Sequence, residues 1–314
     1  MLRIRHQVDG RLAALVAEEV GRPEPGTGEV LIRTRAVGVT LPAVRKLRDA
    51  EEPVALGGEV AALGDGVTSF AAGDRVTGLC FADAYAEFAV LNTAMVSRIP
   101  DGVGAVEAVA LVRSGMVARG AYEAAHVRPG ESVLVTAAAS GVGVLAVQYA
   151  KAGVAGRVVA AVSSADKADF LRDLGADEVV LYGDSDWGGP YDVILDGVGG
   201  DLLGPAVRAL ATGGRLVAFS SGGGTVDAYE LLVRGASVIG FQMRAIAVGR
   251  PGLYNRRLRE QWRLYEAGAL RVAVHEEIPL SQAARAHTLV EQRRNLGKVV
   301  LVPPHRPTGS PLAT

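Results

Sequence analysis

One cysteine, Cys80, is all the sequence holds, which excludes an internal disulfide and a thiolate-built zinc site. Charge of either sign is not in excess. Against 33 Lys and Arg stand 34 Asp and Glu, a net −1, so no global field recruits nucleic acid or an anionic membrane surface. No stretch approaches the ~18 uninterrupted apolar residues of a membrane span. The start, Met1-Leu2-Arg3-Ile4-Arg5-His6, lacks the apolar segment of a secretory leader, and a soluble cytoplasmic protein is expected. The five histidines, His6, His126, His275, His287 and His305, show no ligand-like spacing and read as dispersed surface or core residues. The 40 glycines follow no G-X-Y period, which removes collagen-like and low-complexity readings.

What is present is an ordinary globular balance, 49% hydrophobic and 21% charged, over 314 residues. At ~100–200 residues per domain, two domains are the natural expectation. The first hundred residues read as short strands between turns. Glu29–Val37 follows the turn-rich Pro23–Gly28, and Gly57–Ala62, Asp74–Leu79 and Tyr85–Val90 are separated by Gly64-Asp65-Gly66 and Ala72-Gly73-Asp74. The pattern changes at Ala105–Ala125, which is long, Ala-rich and helical. Strands at 132–136, 157–162, 178–181, 191–196, 215–220 and 238–243 then alternate with helices at 142–152, 165–174 and 201–210. Alternation of this kind builds a parallel sheet covered on both faces. A helical period returns at Arg257–Glu266, and the apolar strand Lys298–Val302 is stopped by Pro303-Pro304.

The central motif is Val133-Leu134-Val135-Thr136-Ala137-Ala138-Ala139-Ser140-Gly141-Val142-Gly143. An apolar strand runs into small residues and a helix opens at once. N–H groups at such a helix start can face a pyrophosphate, and the helix dipole favours the anion. The G-x-G-x-x-G spelling is incomplete, because Ala and Ser hold its earlier positions, so a plain strand–helix turn is the competing reading. The next strand ends Val162-Ser163-Ser164-Ala165-Asp166-Lys167 with no carboxylate at its tip. An NAD site places Asp or Glu there for the ribose 2′-hydroxyl. Hydroxyls and a lysine suit a 2′-phosphate instead, which points to NADPH. Ser164 can equally be the N-cap of the following helix, and Lys167 a solvated residue.

These residues resemble the medium-chain dehydrogenase/reductase superfamily, and most nearly its zinc-free quinone oxidoreductase and enoyl reductase branch. The resemblance runs over about residues 3 to 302. It rests on Pro25-Gly26-Thr27-Gly28-Glu29-Val30-Leu31, Gly64-Asp65-Gly66-Val67, Gly73-Asp74-Arg75-Val76, Tyr85-Ala86-Glu87, Pro129-Gly130-Glu131, Leu174-Gly175-Ala176-Asp177, Tyr191–Asp196 and Gly297-Lys298-Val299-Val300-Leu301 in family order. It implies an α/β protein with a β-rich GroES-like catalytic domain (1–108 and 247–314) and a Rossmann doubly wound parallel-sheet cofactor domain (109–246). It also implies pyrophosphate contacts from Ser140, Gly141, Val142 and Gly143. Ser163, Lys167 and Tyr182 fall at the adenosine 2′-phosphate, next to the strand-end candidate Ser164, and Phe219, Ser220, Ser221, Phe241 and Met243 at the nicotinamide half or the subunit interface of a homodimer. Tyr182 and Phe241 can also be plain core residues.

Zinc-dependent relatives carry Gly-His-Glu where this chain reads Gly57-Gly58-Glu59. Without a metal to polarise an alcohol or ketone, the expected chemistry is NADPH-dependent reduction of a quinone or an α,β-unsaturated carbonyl. Oxyanion or proton-donor candidates are Tyr85, Thr40 and Ser114, with core packing as the other reading of Tyr85. Arg45, Lys46 and Arg48 can steer an anionic substrate or form a solvated face. The segment 41–56 looks short for the family, and Val117 replaces an expected Thr. These departures fall on the substrate side and suggest a specialised role, such as reduction of a polyketide-like enone. The alternatives are an NADPH-binding protein with a cyclase-like, lyase-like or sensory role, and a methyl-transfer enzyme.

Overall fold

The computed structural model describes residues 1–9, 12–44, 53–219 and 222–304, without side chains at 6–9 and 12–14. The chain divides into two units. One comprises Met1–Val109, Glu276–Gln292 and the chain from Val299, and the other Ala110–His275 with Arg293–Lys298.

The second unit holds a six-stranded parallel sheet. Its order is Glu178–Leu181, Arg157–Val162, Ser132–Val135, Tyr191–Asp196, Leu210–Ala218, Ser237–Gly240. Counted from Ser132–Val135 this is 3-2-1-4-5-6, the Rossmann-type doubly wound order. Near-continuous apolar runs such as Val158–Val162 form these strands because both faces are covered. Leu134, Val159, Ile194 and Leu216 are fully buried in the core under them. The turn after Ser132–Val135 and the loop after Tyr191–Asp196 flank the point where strand order reverses, and open α/β sheets bind their ligands there.

In the first unit every strand pair from Lys298–Val302 onward is antiparallel. Its sheet runs Val274–Pro279, Lys298–Val302, Glu29–Gly38, Val54–Leu63, Arg75–Cys80, Val96–Arg98, and Phe88–Asn92 also pairs with Glu29–Gly38. A hairpin of Leu2–Asp9 and Leu12–Glu19 adds a two-stranded sheet. The core gathers Val30, Ile32, Leu56, Val76 and Leu91 with Ile278, Leu280 and Leu301 from the distant end of the sequence.

Two expectations shift. Residues 247–275 belong to the parallel-sheet unit rather than to the β-rich one. The helix Pro251–Glu266 buries Tyr254, Leu258 and Trp262, and the Gln261 amide donates to the Leu111 carbonyl at 3.0 Å, which ties it to that unit. The strand expected at 85–90 begins only at Phe88, because the Tyr85 carbonyl accepts from Ile4 N–H at 2.8 Å and Ala86 bridges Arg3.

Candidate functional site

The Gly-rich turn has the geometry of an anion cradle. The strand Ser132–Val135 ends, and Ala137 takes a left-handed φ of 50°. The Ser140 hydroxyl accepts the Gly143 N–H at 3.0 Å and opens the helix Gly143–Ala152. The backbone N–H groups of Gly141 and Val142 make no backbone hydrogen bond among the described residues. Two free donors thus stand at a helix start, where the dipole adds positive potential. A Cβ on Gly143 would lie 2.1 Å from the Ala137 carbonyl oxygen, so only glycine closes the turn.

Across the switch point, Asp196 is fully buried. Its carboxylate accepts the Thr136 hydroxyl at 2.7 Å and the N–H groups of Val198 and Gly199 at 3.1 and 2.9 Å. This fixes the loop after Tyr191–Asp196 against the end of Ser132–Val135. The Phe219 ring lies over Gly197, 3.0 Å from where its Cβ would be. Phe241 fills a notch at Gly120, where its ring stands 2.0 Å from a would-be Cβ, and Met243 is buried at the start of the helix Met243–Gly249. Both fill packing positions in the second unit. Ser220 and Ser221 lie outside the described residues.

The strand Arg157–Val162 ends in the exposed Ser163. Ser164 occupies the N-cap of the turn Ala165–Lys167 but makes no capping bond. Lys167 is buried, not solvated. Its ammonium donates to the Arg293 carbonyl at 2.6 Å and to the Ser163 hydroxyl at 3.4 Å, and burial lowers its pKa. The Tyr182 hydroxyl accepts the Ala137 N–H at 2.7 Å, keeping its own hydrogen to donate, and burial pushes its pKa up to about 12. Sequence reasoning missed Arg293. It is exposed, adopts a left-handed φ of 55°, and its charge acts on both Lys167 and Tyr182. Among the described residues it has no carboxylate partner. Ser163, Lys167, Tyr182 and Arg293 therefore surround one small region.

The three proton-donor candidates separate. Thr40 is buried in the first unit, and its hydroxyl accepts the Ala43 N–H at 3.3 Å at the start of the short helix Leu41–Val44. Tyr85 lies in the first unit's core, its hydroxyl 3.1 Å from His287 Nε2, and burial raises its pKa. Beside it is a cavity of about 150 Å³ lined by Ala43, Val54, Cys80, Phe81 and Tyr85 among others. His287 was read from sequence as a dispersed residue. Its ring packs edge-on to Tyr85 and joins two polar groups inside an apolar core. Ser114 belongs to the second unit. It is 1% exposed, and among the described residues its hydroxyl has no partner. Arg45, Lys46 and Arg48 lie outside the described residues.

Among the described residues no three His, Cys, Asp or Glu side chains come together as a metal site. A Cβ on Gly58 would stand 2.0 Å from the Arg33 carbonyl oxygen, so this position cannot carry the histidine that zinc-dependent relatives place there.

Two family models match the chain, one described as the alcohol dehydrogenase GroES-like domain over residues 26–119 and one as zinc-binding dehydrogenase over 174–301. The chain is 32% identical to a quinone oxidoreductase of Pseudomonas aeruginosa, over 96% of its own length and 99% of the relative's. It is 30% identical to a 2-haloacrylate reductase of Burkholderia sp., over 92% of the chain and 95% of the relative. The native structure of a mycobacterial protein complexed with NADPH matches with a TM-score of 0.88 and 29% identity, covering 96% of this chain and all (100%) of that one. The antiparallel unit is GroES-like and the parallel one Rossmann-type. The chain belongs to the medium-chain dehydrogenase/reductase superfamily, in the branch of the quinone oxidoreductases and enoyl reductases, and is an oxidoreductase.

Proposed function

We propose that this enzyme is a zinc-independent, NADPH-dependent reductase of quinones or α,β-unsaturated carbonyl compounds. The observation that carries the reading is the switch-point turn with free N–H groups at Gly141 and Val142, beside a cluster of Ser163, Lys167, Tyr182 and Arg293 with no carboxylate at the strand tip. The residues fit a dinucleotide. Gly141 and Val142 donate to the diphosphate, and Arg293, Ser163 and the Tyr182 hydroxyl meet the 2′-phosphate, which a carboxylate there would repel. Lys167 holds the Arg293 backbone and adds charge from below.

When bound, NADPH supplies the hydride. The chain must then orient an electrophilic carbon, exclude water and stabilise charge on oxygen. Tyr85 is the proposed donor to that oxygen. Its raised pKa keeps it a neutral O–H across the working range, and His287 holds the hydroxyl in place. Because Gly58 leaves no room for a histidine, the reading gives the substrate no zinc to activate it, which favours conjugated acceptors over simple alcohols. The reductase activity named for the Burkholderia relative, on a conjugated haloacrylate, supports the same substrate class, and a polyketide-like enone falls within it.

Purified protein is expected to oxidise NADPH with members of a panel of quinones, enones and enoyl thioesters, at a kcat of order 1–100 s⁻¹ for the best of them. A chelator is expected to leave that rate unchanged. No loss of nicotinamide absorbance across the panel would overturn the redox reading, and loss of activity on chelation its zinc-free part.

The assembly is proposed to be a homodimer. Tyr229 and Leu232 on the helix Ala228–Arg234 are 68% and 73% exposed, and the neighbouring strand Ser237–Gly240 is an edge of the parallel sheet. An apolar face next to an open strand edge suits a second copy across a two-fold axis. Sedimentation is expected to show a dimer for the unaltered chain and a shift toward monomer for Leu232→Glu. A Leu232→Glu chain that sediments like the unaltered one would place the interface elsewhere.

A further inference from the structure

Lys298 is 4% exposed, and among the described residues its ammonium has no hydrogen bond and no carboxylate. Its Cδ stands 3.1 Å from where a Cβ on Gly141 would be, and the Ser114 hydroxyl 3.5 Å from the same point. Among the described residues that hydroxyl is buried without a partner. Arg113, 7% exposed, is the charged group whose field reaches Lys298. The Ser140–Val142 turn and Ala273, whose carbonyl accepts the Lys298 N–H at 2.7 Å, present no ionisable side chain to it. Two cations are thus buried close together at a turn whose N–H groups also point positive, and an orphan hydroxyl stands with them.

We propose that Lys298 makes nucleotide binding proton-linked: part of the empty protein holds this side chain as a neutral amine, and the arriving diphosphate draws a proton onto it. The inference rests on the reading of the turn as the diphosphate site. The balance is simple. Protein with a neutral Lys298, one proton from solvent and the dinucleotide give a complex with a Lys298 ammonium beside the phosphate. Desolvation first, and then the Arg113 charge, lower the Lys298 pKa to about 7 in the empty protein. A phosphate anion reverses both effects, because it is an opposite charge and a hydrogen-bond acceptor. Uptake should therefore grow from about half a proton per nucleotide near pH 7 to nearly one at pH 8.5, and affinity should fall toward tenfold per pH unit above about 7.5.

Titration calorimetry on the full chain at pH 8, with NADH and separately NADPH in HEPES and in Tris, reads the uptake from the difference in heat between buffers. NADH is the cleaner probe, since it has no titrating 2′-phosphate. Uptake of about 0.9 proton is expected for the unaltered chain. Lys298→Arg stays charged at every working pH and is expected to bind with buffer-independent heat and an affinity flat from pH 7 to 8.5. Arg113→Leu should move the uptake window to higher pH. Buffer-independent heat in the unaltered chain, or unchanged uptake in Lys298→Arg, would overturn the proposal and leave the nucleotide site standing. Failure of both nucleotides to bind a chain shown folded by circular dichroism would remove the site itself.

Discussion

Gly143→Ala is expected to lose nucleotide binding by about 100-fold or more and to destabilise the fold by at least ~3 kcal/mol. The added methyl carbon would meet the Ala137 carbonyl oxygen at 2.1 Å and Ala138 Cα at 2.6 Å, all of it backbone. No rotamer change relieves such a clash. Either the helix Gly143–Ala152 moves away from the strand Ser132–Val135, or the turn between them opens. Both displace the free N–H groups of Gly141 and Val142, so binding falls through lost alignment as well as lost stability. Fluorescence titration with NADPH and urea unfolding measure the two effects. A variant with unaltered affinity would show that the turn does not grip the nucleotide.

Arg293→Glu is expected to weaken NADPH binding by about 100-fold and NADH binding by less than about threefold. The substitution removes a charge-assisted contact and puts a carboxylate beside the proposed 2′-phosphate. It leaves the backbone carbonyl that accepts the Lys167 ammonium in place. The left-handed conformation at 293 burdens either residue alike, so thermal stability should barely change. Equal losses for the two nucleotides would mean that Arg293 acts on something they share. An unchanged NADPH affinity would return selectivity to Ser163, Lys167 and Tyr182.

Much of the parallel sheet was legible in the sequence, because doubly covered strands are continuous apolar runs and little else in this chain resembles Arg157–Val162 or Tyr191–Asp196. The Gly-rich turn was legible for a similar local reason. Two further elements carry local signals in the sequence. Asp9-Gly10 between alternating strands is a hairpin signature, and Leu2–Asp9 does pair with Leu12–Glu19. The helix Ala228–Arg234 is bracketed by Asp227, which caps the Tyr229 N–H, and by Gly235 in a left-handed conformation. Arg293 was another matter. In sequence, Arg293-Arg294 is a solvated basic pair, and no periodicity states that its carbonyl meets Lys167, 126 positions earlier. The burial of Tyr85 against His287 is likewise a long-range fact, joining residues 202 positions apart.

The six residues Arg293–Lys298 form a short excursion of the chain into the parallel-sheet unit, from which it leaves again at Val299. This excursion delivers both the guanidinium at 293 and the amine at 298. A gene fragment cut to the continuous stretch 110–275 would therefore encode all six strands of the parallel sheet and omit three of the unit's cations, Arg293, Arg294 and Lys298. Under the proposed reading, grafting that sheet onto another protein is expected to transfer nucleotide recognition only if the hexapeptide travels with it as a second, separately anchored insert.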